Sequence, residues 1–194
     1  GRCQSISMSD SSADQQKLAQ AIRNLLSESG VTTKNVAVGI PSSRVFTTVV
    51  DFDRLTQSEL GKAIHLQAES IIPTPISESK LDWALIGDSP ADASKVEVLI
   101  SSVPNSYVES RLDMLEAIGL NVIAFEPDNL ALARAILPAE VTSPQMVFDI
   151  GSRSTDIVVS MGGAPRLTRS IPTGSEAIIK AVTQSLGVDA KQAE

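Results

Sequence analysis

The chain has 194 residues, 42% hydrophobic, 20% charged and 3% aromatic, which allows one large domain or two small ones and an aliphatic core. Its 16 Lys and Arg against 23 Asp and Glu leave a net charge of −7, the wrong sign for holding phosphate backbones, and the few aromatics leave little surface for stacking bases, so nucleic acid is excluded as a partner. A single histidine, His65, and a single cysteine, Cys3, exclude histidine triads, His- or Cys-rich zinc cages and an intrachain disulfide, but leave Asp, Glu, Ser and Lys chemistry open. No run approaches the ~18 apolar residues of a membrane span, and the polar start GRCQSISMSDSSADQQ lacks the apolar centre of a signal peptide. A soluble chain without direct membrane insertion is expected.

Residues 1–12 are Ser-rich and read as a mobile tail. From Ala13, Leu18, Ala21, Ile22, Leu25 and Leu26 follow helical spacing, and Gly30 stands where a left-handed cap would end the helix. The run Val36 to Ile40 is a buried strand, closed by Pro41. Residues 42–121 then read as strand (Val45 to Phe52), helix (Gln57 to Ile72), strand (Leu81 to Ile86), strand (Val96 to Val103) and helix (Asn105 to Ile118): a βαββα unit. Thr56 and Glu59 form a capping box ahead of the apolar stripe Leu60, Ile64, Ala68 and Ile71. The turn-rich GDSPADASK joins the two later strands as an antiparallel hairpin. Gly119 ends the second helix.

A short strand, Val122 to Phe125, and a nearly all-apolar helix, Asp128 to Leu137, follow. A helix so apolar is expected to be buried on several sides, where an interrupted first domain resumes. After PAEVTSPQ come three strands, MVFDI, STDIVVS and RLTRSI, and an amphipathic helix from Ser175 to Leu186. Such a meander with one and a half helices leaves a sheet face uncovered and edges wanting partners, so the chain reads as part of a larger fold.

Among motifs, P-loop, GxGxxG, HExxH and GxSxG are absent. The remaining candidate is DIGSRSTDIVV. Asp149 ends a strand, Gly151 makes the tight turn, and Ser152, Ser154 and Thr155 place small donors around it. Amides of such a turn can cradle phosphate, and a carboxylate at the strand end can hold magnesium through water. The plain alternative, a hairpin with Asp and Gly at its turn, is favoured by local spacing alone.

The wider order weighs against that alternative. Strand, DxG turn, strand, turn, strand and helix resemble the opening of a half-domain in the actin-like ATPase superfamily. VAVGIPSSRVFTTVVDF, HLQAESIIPTPISESKLDWALIG, VEVLISSVP, LEAIGLNVIAFEPDNLALARAIL and MVFDIGSRSTDIVV resemble the PilM family of type IV pilus assembly proteins, itself similar to the division protein FtsA, from about Ala13 to the end.

That resemblance implies an α/β, partial actin-like (ribonuclease H-like) fold with an inserted βαββα subdomain: 13–41 and 122–141 belong to the first half, 42–121 to the insert and 142–194 to the start of the second half. It implies ATP and magnesium as ligands, with Asp149, Gly151, Ser152, Ser154, Thr155 and Gly174 as contacts and Asp149 on magnesium through water. The family's first phosphate loop and its later adenosine-contacting segments have no counterpart here, so weak or absent ATP binding is expected of this chain. Arg153 and Asp156 depart from the family pattern: Arg153 brings a long cation into the turn, and Asp156 adds a negative charge beside the proposed site. Gly174 fits either close approach of a nucleotide or neighbouring strand, or a helix entry with Ser175 as N-cap.

The implied role is a cytoplasmic scaffold at the inner face of the membrane, docking the N-terminal cytoplasmic tail of a PilN-like inner-membrane protein between insert and host, alongside other pilus assembly proteins. Self-association is left open. The alternatives are an ATP-hydrolysing actin-like enzyme and an FtsA-like division protein. The surfaces offered are the insert and a sheet edge able to accept an extended peptide. His65 reads as a surface side chain, Trp83 as core and Glu69 as a solvated carboxylate.

Overall fold

The computed structural model describes residues 11–138 and 140–193; of the tail expected over residues 1–12, residues 1–10, with Cys3, lie outside them, whereas Ser11 caps the first helix and Ser12 opens it. The chain divides into two compact units, one made of the chain up to Val38 with Asn105–Phe125, the other of Gly39–Pro104 with the chain from Glu126.

In the first unit, helix α1 (Ser12–Glu28) starts at Ser11, whose side chain accepts from the Asp14 amide, satisfying one of the orphan donors of the first turn. Gly30 and Gly119 take the left-handed conformation expected after their helices, at φ +65° and +82°. Strands β1 (Asn35–Ile40) and β5 (Asn121–Pro127) pair in a two-stranded sheet. Helix α3 (Asn105–Ala117) shares its core with α1, β1 and β5: Met114, Leu115 and Leu120 are buried against Leu18, Ile22, Leu26, Val36 and Val122. Chain order groups α3 with the strands before it, but its apolar residues find their partners on α1.

In the second unit, β2 (Phe46–Asp53), β4 (Lys95–Pro104) and β3 (Ser79–Asp88) form an antiparallel sheet in the order β2-β4-β3. Side chains alternate across a strand, so one face presents Phe52, Val96, Val98 and Ile100, and helix α2 (Gln57–Ile71) covers them with Leu60 and Ile64. The capping box of α2 is formed on both sides: the Glu59 amide donates to Thr56 Oγ1 and the Thr56 amide to the Glu59 carboxylate. The hydrogen bond from Thr56 lowers the Glu59 pKa below its ordinary value. Leu81 and Trp83 pack against this core, and His65 is exposed. The reverse face carries Glu97 and Leu99.

The same unit continues with α4 (Asp128–Ile136) and an antiparallel meander of β6 (Gln145–Ile150), β7 (Thr155–Met161) and β8 (Ala164–Ile171). Helix α4 packs on one face of that sheet, with Ala133, Val147 and Val158 buried together and Leu130, Leu132 and Leu137 around them. It is buried on one side only: Ile136 is exposed, since within this unit nothing lies over its outer surface. On the sheet's other face Met146, Phe148, Ile150, Leu167 and Ile171 are exposed, the open apolar face anticipated for a bare meander. Helix α5 (Ser175–Leu186) likewise has no buried residue, and a short α6 (Ala190–Ala193) follows.

Ile64 and Ile100 are fully enclosed between α2 and the β2-β4-β3 sheet. Ile64→Ala is expected to cost about 2–5 kcal/mol in chemical denaturation, through lost burial and a residual cavity; a loss below about 1 kcal/mol would show that α2 does not close this core.

Candidate functional site

The β6–β7 turn, Gly151 to Ser154, is closed by a hydrogen bond from the Gly151 amide to the Ser154 carbonyl, 2.9 Å. The carbonyls of Gly151 and Ser152 accept from the amides of Ser175 and Glu176, at 2.9 and 3.0 Å, which ties the start of α5 to the turn. Thr155 Oγ1 donates to the Thr173 carbonyl, 2.7 Å. Ser175 is not the N-cap: Gly174 occupies that position, without a side-chain cap. A Cβ on Gly174 would stand 2.5 Å from Gly151 O and 2.6 Å from Ser152 C and O. Its φ of −133° is open to any residue, so space rather than backbone conformation demands glycine here.

Gly151, Ser152 and Gly174 are therefore in contact, and Thr155 is linked to the same segment. Asp149 stands exposed near the end of β6, directly opposite Asp156 of β7. Asp156 lies beside the turn: it is 6% exposed and accepts from Ser154 Oγ at 3.1 Å, while its Oδ1 has no protein partner. Arg153 projects from the tip, its Nε 3.9 Å from Glu176 Oε1, both side chains more than half exposed. Among the described residues, no three His, Cys, Asp or Glu groups converge to hold a metal.

A second concavity lies between the insert and the meander. A cleft of 580 Å³ is lined by Ala84, Leu85 and Ile86 of β3, Leu99 of β4, Leu130, Ala133 and Leu137 on the α4 side, and Gly162 to Pro165 of the β7–β8 turn. Its charged groups are matched. Arg134 holds Glu126 through both nitrogens, Nη2 at 2.6 Å from Oε2, and this bond raises the Arg134 pKa above its already high ordinary value. Glu97 on the sheet's reverse face pairs with Arg166, next to the cleft, with both side chains largely buried. No local sequence signal marks these groups, since the cleft joins residues from 84 to 165 and each segment alone reads as core.

The second unit thus has a DxG turn on a β-meander, preceded by a helix packed on one face of that meander and by a separate antiparallel sheet, an arrangement that fits an actin-like fold. A family model, "Type IV pilus assembly protein PilM", matches residues 4–194. The chain belongs to the PilM family. A solved PilM-PilN type IV pilus biogenesis complex matches at TM-score 0.81 and 24% identity over 99% of this chain and 58% of that one. The cytoplasmic domain of EpsL, an inner-membrane component of the type II secretion system of Vibrio cholerae, matches at 0.55 and 15%, over 88% and 61%. MreB5 of Spiroplasma citri bound to ADP matches at 0.50 and 14%, over 100% and 43%. The chain therefore spans less than two thirds of the length of each of these structures. Among the described residues no helix is long and apolar enough to cross a membrane.

Gly174→Ala is expected to break the Ser175 and Glu176 anchoring bonds and to cost more than about 1 kcal/mol, with faster hydrogen exchange at those two amides. Gly61→Ala, whose Cβ would sit 3.6 Å from Trp83 Cζ2, serves as control and should stabilise α2 by about 0.5–1 kcal/mol. Unchanged exchange in Gly174→Ala would mean that the turn yields easily.

Proposed function

We propose that this chain serves type IV pilus assembly as a scaffold that docks the N-terminal cytoplasmic tail of a PilN-like inner-membrane protein in the cleft between β3, β4, α4 and the β7–β8 turn. The observation that carries this reading is the cleft itself: apolar, walled by the insert on one side and the meander on the other, with its charges already paired. Membership of the PilM family and the likeness to a solved PilM-PilN complex support the choice of partner. An apolar tail entering such a cleft removes Leu99, Leu130 and Leu137 from water, at roughly 25 cal/mol per Å² of apolar surface. By holding a membrane protein's tail, the scaffold works at the cytoplasmic face of the inner membrane; contacts with other assembly proteins and self-association fall to its remaining surfaces.

A synthetic peptide copying the tail is expected to bind the folded protein, and Leu99→Asp, which puts a carboxylate into the cleft, should weaken binding at least about tenfold, worth ~1.4 kcal/mol. No peptide binding at millimolar concentration would overturn the docking reading.

Nucleotide binding is the second reading, favoured by the turn. ATP would sit with its phosphates on the amides around Ser152 to Ser154, bounded by Gly151, Thr155 and Gly174, and Asp149 would reach magnesium through water. The residues fit one side of such a site: the amide of Gly151 is engaged within the turn, and Arg153 brings a cation to its tip. Bound magnesium-ATP would supply the phosphoryl group for an actin-like ATPase. The chain's own residues only hold and orient it, and a multiply charged phosphate held by one turn in open water gains little. Calorimetric titration with magnesium-ATP is therefore expected to show no micromolar binding by this chain; micromolar affinity would refute that estimate.

A further inference from the structure

Resting on the docking reading, we infer that the partner's tail binds as an added β-strand on the free edge of β3, its uncharged segment pairing main chain to main chain with Ala84 to Gly87, beyond Trp83, whose amide donates to Asp82 Oδ1 at 2.9 Å. In the order β2-β4-β3, strand β3 pairs among the described residues with β4 alone, leaving its other edge open. Successive side chains of a strand point to opposite faces, yet the consecutive residues Ala84, Leu85 and Ile86 all line the cleft. Ala84 reaches it beside its cross-strand partner Leu99, and a break in the pairing between Leu85 and Gly87 turns the next residues toward the same cavity at the open edge. Along that edge the main chain of β3 has no paired strand among the described residues, and α4 lines the cleft opposite.

The sequence of that edge points the same way. Open edges are ordinarily guarded by charges or proline. In SKLDWALIGD, the half away from the cleft carries Lys80 and Asp82, whereas Trp83 to Gly87, which contains the cleft-lining residues, carries no charge and no proline. A β-bulge also falls here: Leu85 pairs with Val98 and Gly87 with Glu97, leaving Ile86 as the extra residue. Bulges bend a strand and re-aim its side chains, and Leu85 stands 57% exposed at this point. The unguarded, bent segment coincides with the cleft.

Charge settles the occupant's chemistry. Glu126 is matched by Arg134 and Glu97 by Arg166, so a charged side chain entering the cleft would be desolvated without a counter-ion. An extended, uncharged, apolar segment fits, gaining affinity from main-chain hydrogen bonds and specificity from alternate side chains set against Leu99, Leu130 and Leu137.

The test is an N-methyl scan of the tail peptide against the intact chain, with binding read by fluorescence anisotropy. Strand addition uses alternate backbone amides of the peptide, so methylation should weaken binding about tenfold at every second residue and leave the residues between nearly unaffected. Bound peptide should also slow hydrogen exchange at alternate amides between Ala84 and Gly87. If the unmodified peptide binds but methylation shows no alternation, and exchange on β3 is unchanged, the strand mode is overturned while the docking reading stands. If the unmodified peptide does not bind at all, both fall.

Discussion

Helix α4 rests on the β6–β7 face through Ala133, Val147 and Val158, and both candidate sites take their positions from that contact. Alanine at the centre of the helix lets its axis come close to the two valines, and interiors packed to crystal-like density tolerate little change in that spacing. Two residues beyond Val147 on the same strand stands Asp149, and two before Val158 stands Asp156. At this end the first turn of α4 places Asn129, 4% exposed, in a polar hollow with Thr168 and Ser170, and Asp128 accepts from the amide and hydroxyl of Ser42. Toward its other end the same helix offers Leu130, Ala133 and Leu137 to the cleft. One side of a nine-residue helix thus runs from a polar end beside the DxG strands to an apolar end facing the insert.

The acidic balance of the chain does not extend into the cleft. A net charge of −7 keeps the surface repulsive toward other acidic polymers, but the carboxylates nearest the cleft are each held by an arginine. The two pairs are not equivalent. Arg134 is exposed and strengthens the rim modestly. The Glu97–Arg166 pair joins β4 of the insert to β8 of the meander with little solvent access, where loss of either partner would leave a buried charge unmatched. It acts as a fastening between the two sheets and helps set the width of the cleft.

Much of the local architecture was legible because its causes are local. The Thr56–Glu59 capping box, the glycines after α1 and α3, and the alternation in β4 each state their structure within a few residues, and the meander followed from three apolar runs split by turn residues. What escaped is long-range. That α3 packs with α1 depends on residues about 90 positions apart, and the cleft depends on the meeting of β3, α4 and the β7–β8 turn, each unremarkable alone. The apolar character of α4 suggested burial on several sides, but apolar sequence reports the capacity to be buried, and only one side is covered here. Asp156, read as a charge beside the turn, does stand there, opposite Asp149; what the sequence left unsaid is that its strand parity also puts it on the α4 face with Val158.

Gly174 shows how a motif and a joint can share residues. Glycine at that position answers a need for backbone to approach backbone, with the Gly151 and Ser152 carbonyls filling the space where a side chain would begin. Those carbonyls accept from the first amides of α5, the donors that a helix start otherwise leaves unsatisfied. The positive end of α5 is thereby spent on the turn and does not offer its first two amides to an anion. Any phosphate cradle at this place must then come from the turn's own amides between Ser152 and Ser154, with Arg153 as the nearby cation. An anion held there would bear on the same segment that positions α5, so occupancy of the turn and the orientation of the helix that follows it are bound by one set of hydrogen bonds.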